Sequence, residues 1–528
     1  MRKLFPVLAA AAALSILLAA CSGGTTSSSD TSSGAAVGAS SSASPAAKGG
    51  NLTIVRAGDS VNMDNTMVFS NASIWVFQQM FESLYAVTPD GKDVKPWLAQ
   101  SYTTTTDKKT WTFKLRQGVT FSNGSPMTSA DVVFSLDKAR STKGGWEFID
   151  VAIDKVSAPD PATVVITTKY PWAPLLADLA NFSNAILPKD YAGKTHDAFY
   201  AAPIGTGPFV WDHWTKGVEL QLKKNAAYWQ AGKPTLDSVT WKIVPDDNAR
   251  NLQVQGGQAD INESPPFSSI DTLKASNGVK VTLFPSTRTD YILMNENVKP
   301  YQDVHVRRAI SYAIDRASLV KALQFGNGTV ANSLLMPNVP FYDANTSGIQ
   351  YDMAKAKEEM AKSTVPNGFT TTFLASAGDA QDQGIAQVLQ AALKQLNIEM
   401  KIQTVDPSAN HDLQNSLKYE ISHSYWTMDI ADPDELVSFA VDPAAGSHSF
   451  LTDYNNPAVI KAAHDAQKVF DPAARQALYT TVQKLAAEDA FMAFLFYSPF
   501  SYAYTDKVQG FAVYPTGNYH LEDVSLAQ

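Results

Sequence analysis

Between residues 109 and 116 polar and apolar positions alternate, with Trp111, Phe113 and Leu115 set against Thr110, Thr112 and Lys114. A period of two predicts a strand with one buried face. Val239, Trp241 and Ile243 repeat the pattern, and Leu52 and Ile54 predict an edge-to-core strand over 51–57. Elsewhere the period is helical. Over 71–87 the residues Ile74, Phe77, Phe81 and Leu84 share one face behind Asn71 as N-cap. After the Asn123-Gly124 turn, Thr128-Ser129-Ala130-Asp131 is a capping box ahead of Val132, Val133, Leu136 and Ala139. The run 369–375 reads as β. It is followed by a helical stripe of Ile385, Val388, Leu389, Ala392, Leu393 and Leu396, and by a second β run over 398–405. That order is a βαβ unit, with parallel strands and a right-handed crossover. Asp471-Pro472 opens another helix, 491–497 reads as a buried strand, and no internal repeat is visible. The chain is α/β.

The first residues follow a different rule. Arg2 and Lys3 precede an apolar run over 4–20 that is short for a membrane span and has the order of a secretory signal. It ends in Leu18-Ala19-Ala20-Cys21, which resembles the bacterial lipobox, and Cys21 is the only cysteine of the chain. We therefore expect a signal peptide over 1–20, lipidation at Cys21 and no disulfide or catalytic thiol. Residues 22–47 are almost wholly Ser, Thr, Gly and Ala, so 21–49 is expected to be a flexible tether reaching roughly 30 Å. The folded part then sits outside the cell, on the extracellular face of the membrane or in a periplasm.

The formal charge of −9 becomes −11 once Arg2 and Lys3 are removed, 40 basic against 51 acidic residues, which argues against nucleic acid and anionic lipid as partners. Aromatic residues, including 10 Trp and 20 Tyr, suit either the enclosure of organic solutes or large cores. There is no Gly-x-Ser-x-Gly elbow, His-Glu-x-x-His pair or phosphate loop, so no enzyme, cofactor or resident metal is expected. Gly326-Asn327-Gly328 follows a helix and reads as a C-cap turn. The eight histidines are dispersed, and none pairs at i, i+3 or i, i+4 as a helical metal site would want.

The stretch Trp426-Thr427-Met428-Asp429-Ile430-Ala431-Asp432-Pro433-Asp434-Glu435 follows a β-like run over 419–424. Asp432 reads as an N-cap with Pro433 at the first helical position, and Asp434 and Glu435 as first-turn acids. Asp429 fits neither role. It lies in a strand-to-helix loop, where it either meets a ligand or bonds backbone amides.

Longer motifs carry a resemblance. Lys95-Pro96-Trp97-Leu98-Ala99-Gln100-Ser101-Tyr102, Trp111-Thr112-Phe113-Lys114-Leu115-Arg116-Gln117-Gly118-Val119-Thr120-Phe121 and Asn123-Gly124-Ser125-Pro126-Met127-Thr128 resemble the extracellular solute-binding proteins, family 5, of ATP-binding-cassette importers. Gly205-Thr206-Gly207-Pro208-Phe209 with Asn225-Ala226-Ala227-Tyr228-Trp229, and Asp303-Val304-His305-Val306-Arg307-Arg308-Ala309-Ile310 through Arg316, are similar to further blocks of that family.

The resemblance implies a two-lobed, type II periplasmic-binding-protein fold. Its first lobe would comprise 50–90, 203–293 and 497–528, with an inserted subdomain over 91–202 and a second lobe over 294–496. It implies a monomer that captures a peptide or other small solute and docks on permease subunits served by a separate ATPase. In peptide-binding members an aspartate three residues after this tryptophan pairs with the ligand's α-ammonium, which carries over to Trp426 and Asp429. Trp75, Tyr291 and Asn295 are expected at element ends facing the cleft. Dipeptide-type members also hold the ligand carboxylate with an arginine before the helix near Asp379, yet residues 364–401 contain none. A longer peptide or a non-peptide solute is favoured, the non-peptide alternatives being an oligosaccharide or a chelated metal, which His411 or His423 would meet since the family includes nickel-type members; a secreted hydrolase is a remote alternative.

Overall fold

The computed structural model describes residues 49–527. The expected signal peptide, Cys21 and nearly all of the expected tether lie outside them. Among the described residues, two large sheets and one smaller sheet carry the architecture. The first has seven strands in the order Val279–Phe284, Phe500–Thr505, Ile261–Glu263, Asn51–Arg56, Ser238–Ile243, Glu219–Lys224, Phe209–Thr215. Asn51–Arg56 is interior to it, parallel to both neighbours, rather than edge-to-core. The second has six strands in the order Thr329–Val330, Met492–Tyr497, Arg288–Met294, Ile421–Thr427, Thr370–Ser376, Glu399–Val405. Thr370–Ser376 and Glu399–Val405 pair in parallel across the helix Ala380–Lys394, as the βαβ pattern requires.

The chain passes from the first sheet to the second between Phe284 and Arg288, and returns between Tyr497 and Phe500. Arg288–Met294, expected in the first lobe up to residue 293, is therefore a strand of the second sheet, paired on both sides there.

Residues 91–202 contribute the four-stranded sheet, Ala99–Thr104, Thr110–Leu115, Thr163–Thr168 and Ile153–Asp160 in spatial order. Trp111, Phe113 and Leu115 face its core while Lys114 is exposed. Thr128 and Asp131 form the capping box of the helix Ser129–Ser141. This subdomain also touches the corner before the helix Pro472–Asp489. Ala173 N–H donates to the Gln467 carbonyl at 2.7 Å, the Phe470 ring stacks 6.2 Å from Trp111, and Lys468 Nζ lies 5.2 Å over Tyr170.

The helix expected over 71–87 is shorter. It spans Asn71–Phe77 with Ser70 as N-cap, and Tyr85–Val87 is a strand. The reason lies far along the chain. The carbonyls of Gln79 and Met80 accept from Phe209 N–H and Gly207 N–H, so the helical ladder cannot continue through them. Backbone meets backbone at this joint. A Cβ on Gly205 would stand 2.0 Å from the Met80 carbonyl oxygen, and one on Gly207 would stand 2.7 Å from it. Beside it the buried Glu82 carboxylate accepts from Thr206 Oγ1, Tyr228 OH, Trp229 Nε1 and Trp97 Nε1. Burial pushes Glu82 up to about 7 against these four donors. Motif residues more than a hundred positions apart thus converge on one side chain.

Candidate functional site

The strand Ile421–Thr427 runs antiparallel to Arg288–Met294, with Arg288 opposite Thr427, and parallel to Thr370–Ser376. Thr370–Ser376 pairs with it only at Ile421 and Ser422, while Arg288–Met294 pairs with it as far as Thr427, and the helix Asp434–Val441 begins one residue later than expected.

The acids of this loop separate by their partners. Asp432, expected as the N-cap, stands one residue before the observed N-cap Pro433; it accepts from Asp434 N–H at 2.9 Å and takes Arg475 in a buried bidentate pair at 2.6 and 2.9 Å. Asp434 accepts from Ser438 Oγ at 3.0 Å. Glu435 does more than sit in a first turn. Its Oε2 accepts from the amides of Asp429 and Ile430 at 2.9 and 3.0 Å, and its Oε1 accepts from Trp426 Nε1 at 3.0 Å. One carboxylate therefore clasps both ends of the segment that presents Asp429.

The Asp429 side chain makes no hydrogen bond and no ion pair to any described residue, although the residue is only 9% exposed. Burial, and secondarily the neighbouring Glu435 carboxylate, push its carboxyl well above the ordinary aspartate range. Burial likewise pushes Glu435 up to about 8, against the amide and indole donors. A buried carboxylate without a cation costs several kcal/mol on the order-of-magnitude scale of unpaired buried charge. This spot is therefore energetically suited to a positively charged group.

The Trp426 indole, held by the same Glu435, belongs to an aromatic cluster drawn from distant parts of the chain. The Trp426 ring lies 4.3 Å from Phe439, 5.4 Å from Phe450 and 6.2 Å from Trp146, and Trp146 stacks on the exposed ring of Phe69 at 4.9 Å. Phe450 reaches this place through a left-handed turn, with φ of 50°, 38°, 39° and 64° at His448, Ser449, Phe450 and Leu451. Such residues cost about 1 kcal/mol or more each and persist only where surrounding packing holds them. Thr287, between the two large sheets, donates its amide to the Pro515 carbonyl at 2.7 Å and shares its hydroxyl between that carbonyl and Met428 O. The loop before Asp429 is thereby tied to the crossing segment.

The other candidates occupy different places. Trp75 lies inside the helix Asn71–Phe77, against Phe500 and Tyr519, with its Nε1 buried and unpartnered. Gly517 makes room for that ring, since a Cβ there would lie 3.0 Å from Trp75 Cζ2. Tyr291 is mid-strand and fully buried, packed on Phe450 and therefore behind the Trp426 wall rather than at an element end. Asn295 departs furthest from expectation. Its Nδ2 donates to Leu417 O and Tyr419 O and its Oδ1 accepts from Asn297 N–H, so the amide is spent holding a backbone corner.

His411 is exposed beside Asn415, while His423 is buried between Asp290 and Asp382, at 3.2 and 3.5 Å. No group of three or more His, Cys, Asp or Glu among the described residues is placed to hold a metal ion, and no helix among them is long and apolar enough to cross a membrane.

The periodicity did not reveal a second ion cluster on the same strand pair. Asp290, with no exposed surface, accepts from Arg288 at 2.9 and 2.7 Å, from His423, from Gln381 at 3.0 Å and from Ser498 at 3.1 Å. Burial works against its charge, but Arg288 and His423 overcome it and hold the carboxyl well below the usual range. His423 is pushed up to about 9 by Asp290 and Asp382 against its own burial. Only the i, i+2 spacing of Arg288 and Asp290, which puts both on one strand face, hints at this in sequence.

The fold, two α/β sheets joined by two crossing segments, is that of the periplasmic binding proteins. Residues 93–448 match the model of the bacterial extracellular solute-binding proteins, family 5, and the chain belongs to that family. It is thus a solute-binding component of an ABC transporter, from a family of binding proteins rather than enzymes. It is 28% identical over 489 residues to the glutathione-binding protein GsiB of Escherichia coli, covering 90% of this chain and 94% of the relative. Its structure is similar to DppA of Helicobacter pylori in complex with the peptide STSA, with a TM-score of 0.83, 26% identity and coverage of 91% of this chain and 99% of that one. It is likewise similar to the oligopeptide-binding protein AppA of Bacillus subtilis in complex with a nonapeptide, with a TM-score of 0.82, 26% identity and coverage of 92% and 100%.

Proposed function

We propose that this chain captures peptides by their free N-terminal ammonium at Asp429, against the Trp426 wall, and delivers them to a membrane permease driven by a separate ATPase. A lipid on Cys21 would hold it at the outer face of the membrane. The observation that carries the reading is the Asp429 carboxylate, buried yet without a cation among the described residues. An α-ammonium supplies a charge-assisted partner, and closure around the ligand follows only if the closed state binds it better than the open one. The family membership and the peptide-bound relatives support the same reading. Mass spectrometry of small molecules released from the purified, denatured protein tests it, with peptides bearing free amino groups as the expected outcome.

A second reading has the Trp426, Phe439 and Trp146 rings in its favour, namely capture of an oligosaccharide by stacking. N-acetylated peptide competing as well as free peptide would select it.

A further inference from the structure

Among the described residues, the chain itself joins the two large sheets only at the crossing segments, between Phe284 and Arg288 and between Tyr497 and Phe500. The inserted subdomain adds a junction that is not covalent. It leaves and rejoins the chain between Asn51–Arg56 and Phe209–Thr215, two strands of the first sheet, so by connection it belongs to that part. Its bonds to that part are buried. Asp64 accepts from Lys138 at 3.0 Å, and Asn65 Nδ2 donates to the carbonyls of Phe182 and Ser183 at 3.1 and 2.9 Å.

Towards the second sheet the subdomain is held differently. The helix Pro457–Lys468 ends against it, and the carbonyl of Gln467, which lies in the last turn and so lacks an intrahelical donor, accepts from Ala173 N–H at 2.7 Å. Lys468 is exposed, pairs with no carboxylate among the described residues and places Nζ 5.2 Å over Tyr170. Phe470 leaves 37% of its surface in solvent. The ring and the ammonium that meet it, Trp111 at 6.2 Å and Lys108 at 5.6 Å, both belong to the subdomain. This junction is thus exposed and carries one hydrogen bond, so it is the weaker of the two and the one that can part.

Both faces of it are preformed. Lys108 holds a left-handed conformation, φ 57°, in the turn between Ala99–Thr104 and Thr110–Leu115, and its carbonyl accepts from Trp111 Nε1 at 3.1 Å. On the other face Asp471 and Pro472 start the next helix directly after Phe470, which fixes the corner. At its inner end the seam reaches the aromatic cluster of the site, where Phe148 of the subdomain lies 5.2 Å from Phe439.

We propose that this seam is a latch: the inserted subdomain closes onto the corner at Gln467, Lys468 and Phe470, and its parting is what lets the two large sheets separate about the crossing segments. Its outer side chains are none of those around Trp426 and Asp429, yet they set the closed fraction and so scale the apparent affinity for any enclosed solute. The proposal needs the solute-binding role but not the Asp429 reading. Hydrogen exchange of the full chain tests it, read by mass spectrometry on peptides across residues 170–178, with small-angle scattering for overall size. Between Pro171 and Pro174 only Trp172 and Ala173 carry an exchangeable amide. In the unmodified chain the Ala173 amide should be protected about tenfold or more over an unstructured one. Lys468→Ala with Phe470→Ala should speed its exchange about tenfold, the factor that an exposed cation–π contact and a ring stack are together worth. The radius of gyration should grow while the amides of the strand Met492–Tyr497 keep their rates. An unprotected Ala173 amide in the unmodified chain, or unchanged exchange and size in the variant, overturns the latch. So does an equal rise in Met492–Tyr497, which marks general destabilisation. Both substituted side chains are exposed. If the pair nonetheless fails to fold, Lys468→Ala alone decides, with about a threefold rise expected and no rise overturning the proposal.

Discussion

Asp290 lies in a ribbon of the second sheet and Asp429 in the loop that leaves that ribbon, and both are buried, yet they are opposites. Asp290 is served by Arg288, His423, Gln381 and Ser498, while Asp429 has no side-chain partner among the described residues. The first is charged at any ordinary pH. The second is pushed toward its protonated form. Burial alone therefore says nothing about role. What separates scaffold from site is whether the protein supplies the counter-charge itself.

The contrast can be broken by removing each acid in turn. Asp290→Ala strands Arg288 and His423 in a buried setting and should cost about 3–5 kcal/mol in denaturant unfolding. A loss below about 1 kcal/mol would mean that the cluster is not structural.

Titration of His423 sharpens the same side. Its folded pKa of about 9 lies above the unfolded value, so its contribution is complete below about pH 6.5 and disappears as pH rises through 9. Between pH 6 and 10 the intact protein should lose about 3 kcal/mol more than His423→Gln does, read from denaturation midpoints.

On the other side, Asp429→Ala should weaken peptide binding by more than about 1.5 kcal/mol in calorimetry while the fold survives. Unchanged affinity would remove Asp429 from the site. The smallest effect is the most diagnostic. A carboxyl with a raised folded pKa costs stability once pH exceeds its unfolded value near 4, so Asp429→Asn should raise stability by about 1 kcal/mol at pH 7–8 and leave it unchanged near pH 3. A destabilised Asp429→Asn at pH 8 would show that the carboxylate has a structural partner after all.

Much of this was legible because it is local. The alternation of Trp111, Phe113 and Leu115, the Thr128/Asp131 box and the βαβ order around Ala380–Lys394 depend on neighbours a few residues away. The helix expected over 71–87 stops at Phe77 because what ends it, the backbone of Gly207 and Phe209, comes from elsewhere in the chain. Within the site, the spacing of Trp426 and Asp429 singled out the loop. It did not reveal that Glu435, nine residues after Trp426, clasps it. Asp290 and His423 are 133 positions apart and meet only through strand pairing. Asparagine at a strand end is ambiguous in sequence, and only the distant carbonyls of Leu417 and Tyr419, which claim the Asn295 amide, assign it to a backbone corner.

The contact between Phe470 and Trp111 has a practical side. It joins the four-stranded subdomain to the corner before the helix Pro472–Asp489, and Lys108 lies over the Phe470 ring at 5.6 Å. In a chain whose single cysteine is Cys21, a thiol introduced at Phe470 could carry a fluorophore with no competing site among the described residues. Quenching by Trp111 would then make the pair a ruler, reporting the separation of the two halves in real time.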